Sequence, residues 1–331
     1  MLFEKIKKDW HDKVFKPVYW LEGEEYYELD KIVNYAEHDL LPENEASFNL
    51  TVFYGRDAHW SDIINACRRY PMFGNLQVVI IKEAQNMKEI DKLGPYIRQP
   101  MSSTLLLIAY KDKKLDSRTI FGKLVKEKTV LISTKKFYDN QLPQWVDNLA
   151  HKKAVSISPM ATGLLIEHIG NDLMRIENEL DKVIINLGKT KKITEDDIEK
   201  YIGISKEYNS FELQKAIVTK NMSKALKIIQ YIEGDPDAIP LQRLLASLYT
   251  FFSKVYMIPP NGGNEEAIAA EIGVMRYFVK DYLTTLRQYG VDGIKKILLV
   301  LHQYNLKSVG VHTTPMRPGE LLKEMVVKMM M

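Results

Sequence analysis

The chain has 331 residues, more than one hydrophobic core usually supports, so we expect two or three domains. Its formal net charge of +3, from 46 basic and 43 acidic side chains, excludes a strongly basic nucleic-acid coat but permits a local positive patch. A single cysteine, Cys67, excludes disulfides and multi-cysteine zinc sites. The charged first residues do not resemble a signal peptide, and no apolar run approaches the ~20 residues of a membrane helix. We therefore predict a cytoplasmic protein without membrane contact.

The first 142 residues alternate between short β-rich apolar runs and helix-like stretches. The predicted strands are residues 18–21, 49–54, 77–82, 104–109 and 129–133. The predicted helices are residues 26–41, 58–69, 87–97 and 118–127. Such alternation is typical of a parallel sheet with helices on both faces, so residues 1–142 are predicted to form an α/β domain.

After about residue 142 the strand signal disappears and helical spacing takes over. Residues 143–208 are predicted to form a small three-helix domain, and residues 209–331 a larger helical domain. Helices of the latter are expected over residues 265–272, 275–289, 291–304 and 318–330, with a proline- and glycine-rich break at 259–263. The predicted fold class is therefore multidomain, α/β followed by all-α.

The segment after the first predicted strand lies where a nucleotide-binding α/β protein has its phosphate loop. Such a loop needs glycines that expose backbone N–H groups, followed by a lysine and a hydroxyl residue. Residues 22–28 instead read Glu-Gly-Glu-Glu-Tyr-Tyr-Glu, and their carboxylates would repel a triphosphate. The third strand ends in Lys82-Glu83, which places a lysine where a magnesium-organising acid is expected. The sequence thus predicts a nucleotide-binding architecture without ATP hydrolysis.

Residues 69–75 read Arg-Tyr-Pro-Met-Phe-Gly-Asn and lie between a predicted helix and a predicted strand. Pro71 and Gly74 flank Met72 and Phe73, two large apolar side chains in what should be a surface turn. Side chains of this kind at a loop tip are suited to a partner's hydrophobic pocket. The alternative is that Phe73 folds back as a plug on the sheet edge.

Other signatures of an enzyme or a metal site are missing. The seven histidines show no metal-ligand spacing, and no GxSxG motif occurs. Cys67 lies on an apolar helix face and is predicted to belong to the core. Arg118 is predicted to be a surface residue, and Arg175 to pair with Glu179. No catalytic residue, cofactor or metal ion is therefore expected.

Basic residues recur in the last predicted domain, at Lys295, Lys296, Lys307, Arg317 and Lys323, with Tyr289 and Tyr304 nearby. Basic groups contact phosphates, and an aromatic ring can stack on an exposed base. Lys307 and Tyr304 are accordingly candidates for DNA contact. Ordinary solvated helix faces are the alternative.

Four segments in this order and spacing resemble the clamp-loader branch of the AAA+ proteins. They are the opening strand with Gly23-Glu-Glu, residues 69–75, residues 170–182 with 193–198, and residues 209–217 continuing to 241–245. In detail the pattern is similar to the delta-subunit family of the bacterial DNA polymerase III clamp loader. Residues 306–310, Leu-Lys-Ser-Val-Gly, match more loosely.

This resemblance implies an AAA+-like sheet domain, a small helical lid and a helical collar. It implies a subunit that hydrolyses no ATP, binds the sliding clamp (the beta subunit), opens the ring and admits primer-template DNA. The collar would join the ATPase subunits, gamma or tau, and delta prime. Met72 and Phe73 match the family's clamp-binding pair, with Met72 in place of the commoner leucine.

Two other classes of protein share parts of this pattern. A delta prime subunit would be expected to carry an arginine finger and a multi-cysteine zinc module, but this chain has one cysteine. A divergent nucleotide hydrolase would need a phosphate loop.

Overall fold

The computed structural model describes residues 2–188, 190–205, 208–234, 240–259, 263–311 and 316–331. The chain divides into two units, residues 1–137 and 138–331. The three predicted domains, with limits at 142 and 208, remain predictions.

All five predicted strands of the first unit form, and they make one parallel sheet. The strands are β1 (Val18–Gly23), β2 (Leu50–Tyr54), β3 (Gln77–Lys82), β4 (Thr104–Lys111) and β5 (Val130–Thr134). Their order across the sheet is β2-β3-β4-β1-β5. Neighbouring strands are all parallel, so their carboxyl ends share one edge and their amino ends the other.

Helices cover both faces of this sheet. They are α1 (Leu2–His11), α2 (Tyr27–His38), α3 (Glu43–Asn49), α4 (Trp60–Cys67), α5 (Gly94–Arg98) and α6 (Ile120–Lys128). Residues 78–81 of β3 are fully buried because apolar side chains pack on both faces.

Three features of this unit differ from the sequence prediction. The predicted helix over 87–97 is instead a short 3₁₀ turn followed by α5, and Pro95 lies in the first turn of α5, where a missing N–H is tolerated. Helices α1 and α3 were not predicted. Asn49 ends α3, whereas the pattern assigned it to the following strand.

The second unit is mainly helical. Its helices are α7 (Leu142–Lys152), α8 (Pro159–Ile169), α9 (Leu173–Asn186), α10 (Glu195–Ile202), α11 (Ser210–Val218), α12 (Met222–Gly234), α13 (Leu241–Met257), α14 (Glu265–Ile272), α15 (Arg276–Ser308) and α16 (Pro318–Met330). The prediction that β structure ends near residue 142 is wrong, because β6 (Ser156–Ile157) and β7 (Lys192–Ile193) form a small parallel pair. Two-residue strands are too short to leave a periodic pattern.

Local signals explain where these helices begin and break. The Ser158 hydroxyl accepts from the Ala161 N–H, and Thr194 with Asp197 forms a capping box at α10. Gly290 interrupts α15 with φ 63 and ψ 172, which confirms the predicted separation of helices 275–289 and 291–304. Most of the predicted break at 259–263 lies outside the described residues.

Within the described parts of the chain, none of the helices combines the length and the apolar character needed to cross a membrane.

Candidate partner-binding site

The turn that contains Met72 and Phe73 lies at the amino-end edge of the sheet. It connects α4 to β3, while Asn49 ends α3 and directly precedes β2. Strands β2 and β3 are neighbours with Leu50 opposite Val78, so the segments that lead into them arrive side by side. Parallel pairing therefore brings the end of α3 next to a turn more than twenty residues further along the chain.

Met72 and Phe73 project into solvent. Met72 is 53% exposed and Phe73 is 79% exposed, so the alternative that Phe73 plugs the sheet edge is wrong. Phe48 of α3 is 55% exposed and meets Phe73 edge-on, with ring centroids 5.5 Å apart. We call Phe48, Met72 and Phe73 the turn patch.

Asn49 holds the backbone of this turn. Its side-chain Oδ1 accepts a hydrogen bond from the Met72 N–H at 2.7 Å, and its Nδ2 donates to the Met72 carbonyl, also at 2.7 Å. The Asn49 residue is fully buried, whereas Met72 is exposed. A buried carboxamide thus fixes both polar backbone groups of one exposed residue.

The remaining residues of the turn fit this arrangement. Phe73 adopts a left-handed backbone conformation, with φ at 58. Pro71 is half-buried, and the Glu45 carboxylate of α3 occupies the space beside Gly74 where a Cβ atom would lie. Three residues of α3 (Glu45, Phe48 and Asn49) therefore surround the turn.

An exposed aromatic ring on a fixed backbone is well suited to anchoring a protein partner. Full burial of a phenylalanine contributes roughly 1.5–3 kcal/mol, and a pre-set turn loses little conformational entropy on binding. The turn patch can supply such burial because both of its rings and the Met72 side chain are exposed together.

The carboxyl-end edge of the sheet, where a phosphate loop would lie, is filled by the chain's own groups. The buried Glu22 carboxylate accepts hydrogen bonds from the Trp20 indole at 3.1 Å and from the Leu115 N–H at 3.0 Å. Gly23 has φ 129, and a Cβ atom there would collide with the Thr134 backbone. This glycine serves a close strand–strand approach, and the neighbouring Glu25 carboxylate accepts a hydrogen bond from the Tyr27 N–H at the start of α2.

Two lysines at this edge, Lys82 and Lys111, have acidic partners. Lys82 lies 2.6 Å from the Glu37 carboxylate, and Lys111 lies 2.5 Å from Asp30. These cations are therefore neutralised within the chain. Among the described residues no group of three or more His, Cys, Asp or Glu side chains is placed to hold a metal ion.

The structure also tests the predictions for Cys67, Arg118 and Arg175. Cys67 is buried as predicted, and burial raises the pKa of its thiol to about 12. Arg118 is a surface residue, as predicted, and pairs with Asp116. The predicted Arg175–Glu179 pair is wrong, since Glu179 forms its ion pair with Lys182 at 2.6 Å.

Tyr304 and Lys307, the two candidates for DNA contact, lie next to each other, but the Tyr304 ring is not exposed to solvent. Tyr304 is 0% exposed, and the ammonium groups of Lys307 and Lys328 lie over its ring at 4.5 and 5.3 Å from the centroid. Lys307 also lies 3.7 Å from Glu324. Stacking of Tyr304 on a base would require these contacts to break, so the structure gives that hypothesis no support.

Comparison with known protein families gives two matches along this chain. The family described as DNA polymerase III, delta subunit, matches residues 19–135. The family described as DNA polymerase III delta subunit, C-terminal domain, matches residues 207–328. The first of these ranges contains the turn patch.

Individual relatives agree with the family matches. The DNA polymerase III subunit delta of Bacillus subtilis is 24% identical over 305 residues, covering 88% of both chains. A probable DNA polymerase III subunit delta of Aquifex aeolicus is 20% identical over 302 residues, covering 86% of this chain and 84% of the relative. The solved structure of the Bacillus subtilis DNA clamp loader delta protein shares the fold, with a TM-score of 0.55, 22% identity and 99% coverage of both chains.

Proposed function

This chain belongs to the delta-subunit family of DNA polymerase III, and we propose that it binds the sliding clamp through the turn patch and opens the ring. Its partners would be the clamp (beta subunit), the gamma or tau ATPase subunits, delta prime and, in the assembled loader, primer-template DNA. The chain is a non-catalytic component of the polymerase complex, and it would act in the cytoplasm, where the chromosome is replicated.

One observation carries this proposal: Phe73 and Met72 are exposed together on a turn whose backbone is already fixed. These are the residues that match the family's clamp-binding pair. Large apolar side chains are rarely so exposed without a binding role when they are clustered and rigidly held. The matches name the delta family and favour neither delta prime nor a nucleotide hydrolase.

The mechanism follows from differential binding. Neighbouring ATPase subunits bind ATP and make the first unit of this chain accessible, and Phe73 with Met72 then docks on the clamp. A ligand shifts a conformational equilibrium only by its difference in affinity for the two states. The chain must therefore bind the open clamp interface more tightly than the closed one, and that difference offsets the cost of opening the ring.

Substitution of Phe73 tests the proposal directly. We expect Phe73→Ala to weaken binding to an immobilised clamp at least about tenfold in surface plasmon resonance, because anchor truncations often exceed 1–2 kcal/mol. Tyr138→Ala is the matched control, since Tyr138 is 76% exposed but lies outside the turn patch. Both variants should keep the wild-type circular dichroism spectrum. Equal affinities of the wild-type chain and Phe73→Ala would refute the assignment.

A further inference from the structure

We infer that Asn49 is a positioning residue for clamp docking: its side chain fixes the Met72–Phe73 peptide and thereby sets the direction of the Phe73 ring. The inference rests on the proposed function, because it assigns Asn49 a role in the same binding event. Asn49 contacts the turn, although the sequence pattern predicts that it belongs to the following strand.

The hydrogen bonds of Asn49 converge on one residue of the turn. Asn49 uses both polar atoms of its carboxamide to bind the N–H and the carbonyl of Met72, each at 2.7 Å. Asn49 itself is fully buried at the base of the turn. Within the described part of the chain, the Asn49 carboxamide bonds only to Met72, and the ladder between β2 and β3 begins at Leu50 and forms without it. The two bonds therefore contribute to the shape of the turn.

The backbone of Phe73 adopts an unfavourable conformation. Its φ of 58 lies in the left-handed region, which costs a bulky residue on the order of 1 kcal/mol. The angle φ measures rotation about the N–Cα bond of Phe73, relative to the peptide plane that contains the Met72 carbonyl oxygen. The hydrogen bond from Asn49 Nδ2 holds that oxygen, so it holds the plane from which the Phe73 ring projects.

The residue before Asn49 also contacts the turn. Phe48 precedes Asn49 and contacts the Phe73 ring edge-on, so the end of α3 reaches the turn through both a side chain and a backbone bond. Loss of the Asn49 bonds would let the Met72–Phe73 peptide rotate and would take the Phe73 ring away from Phe48. The two rings would then no longer present one surface to the clamp.

The test compares Asn49→Ala with Asn209→Ala in the full chain. Asn209 is a matched control, because its buried carboxamide also bonds two backbone groups, accepting from the Glu212 N–H and donating to the Ser205 carbonyl. Both substitutions should lower the melting temperature. Only Asn49→Ala should weaken clamp binding, by about tenfold, and only it should make the Met72 amide exchange with solvent about tenfold faster.

A double-mutant cycle with Phe73→Ala separates positioning from a general loss of structure. If Asn49 acts by placing Phe73, Asn49→Ala should cost about twofold or less in the Phe73→Ala background. Should the alanine variant fail to fold, Asn49→Asp is the second variant. It keeps the side-chain size and the oxygen that accepts from the Met72 N–H, but it replaces the donor to the Met72 carbonyl with an oxygen. It should then show the same loss of affinity.

The outcomes separate the inference from the proposed function. A wild-type chain that fails to bind the clamp would refute the proposed function, and the docking role of Asn49 would fall with it. A wild-type chain that binds, together with unchanged affinity or unchanged Met72 exchange in Asn49→Ala, would overturn the inference alone. The positioning role would also be overturned if Asn49→Ala cost as much affinity in the Phe73→Ala background as in the wild-type chain.

Discussion

The ring of Phe48 lies edge-on to the ring of Phe73, with the ring planes at 66° and the centroids 5.5 Å apart. The two residues are far apart in the sequence: Phe48 lies near the end of α3, and Phe73 lies in the turn before β3. Edge-to-face pairs contribute roughly 0.5–1.5 kcal/mol beyond the area they bury. Phe48 therefore both supports Phe73 and widens the apolar surface.

Under the proposed function, this relationship predicts that Phe48 also contributes to clamp binding. We expect Phe48→Ala to reduce clamp affinity about three- to tenfold, because it removes one exposed ring and the support of the other. Ile120→Ala is a suitable control, since Ile120 is exposed in the same unit but outside the turn patch. The losses for Phe48→Ala and Phe73→Ala should be less than additive in surface plasmon resonance, and strictly additive losses would show that the two rings act separately.

The proposed ring-opening mechanism predicts a preference among clamp forms. We expect the chain to bind a monomeric clamp variant more tightly than the closed ring, since no binding energy is then used to distort an interface. Isothermal titration against both forms measures the difference. The Phe73→Ala chain provides the control, because it should lose affinity for both forms. Equal affinity of the wild-type chain for both forms would contradict the mechanism.

The carboxyl-end edge of the sheet predicts an absence of nucleotide binding. Glu22 near the end of β1 and Glu25 in the segment that follows are both buried where the sequence would carry a phosphate loop, and Lys82 is already paired with Glu37. A triphosphate bound here would bring its negative charges next to buried carboxylates, away from water, which costs free energy. We therefore expect no heat of binding when millimolar ATP with Mg²⁺ is titrated into the chain. A saturable signal in this titration would contradict the interpretation and would revive the hydrolase alternative.

The parallel sheet and the turn could be predicted because their signals are strong. Residues 78–81 and 105–108 are continuous apolar runs, which is what strands buried on both faces require. The surface turn at Phe73 was predicted from the flanking Pro71 and Gly74, but the sequence left open whether the ring folds back on the sheet edge, and only the structure shows it exposed. The break at Gly290 followed from a glycine between two periodic segments.

The support of the turn could not be predicted in the same way. Helix α3 has only seven residues and leaves no helical periodicity, although Pro42 and the acids Glu43 and Glu45 mark its first turn. The bonds from Asn49 to Met72 depend on the register of β2 against β3, a long-range pairing that local sequence does not encode. The burial of Tyr304 likewise depends on packing between α15 and α16, whereas the sequence shows only that basic residues lie near it.

The buried thiol predicts low chemical reactivity. Burial raises the pKa of Cys67 to about 12, so almost no thiolate exists near pH 8. We expect alkylation of the native chain by iodoacetamide to be at least about a hundredfold slower than alkylation of the chain unfolded in guanidinium. Mass spectrometry of the Cys67 peptide provides the measurement. Rapid modification under native conditions would show that the core around α4 opens readily.

Glu167 of α8 predicts a pH-dependent stability. Burial raises the pKa of its carboxyl from 4.5 to about 8, an effect that the charge of Arg243 on α13 only partly opposes. The Arg243 guanidinium instead donates to the His168 carbonyl at 2.5 Å. Well below pH 4.5 the Glu167 carboxyl is protonated in both the folded and the unfolded chain, so it adds no pH dependence to the free energy of unfolding.

Between pH 4.5 and about 8 the unfolded chain ionises Glu167 while the folded chain keeps it protonated, so the free energy of unfolding should fall as the pH rises. Glu167→Gln removes this loss. We expect it to raise stability by about 1–3 kcal/mol at pH 8 and to have little effect near pH 4.5, as measured by urea unfolding. Glu271→Gln, at an exposed position on α14, is the control. If the difference between the Glu167→Gln and wild-type chains stays constant across this pH range, the carboxyl ionises normally in the folded chain.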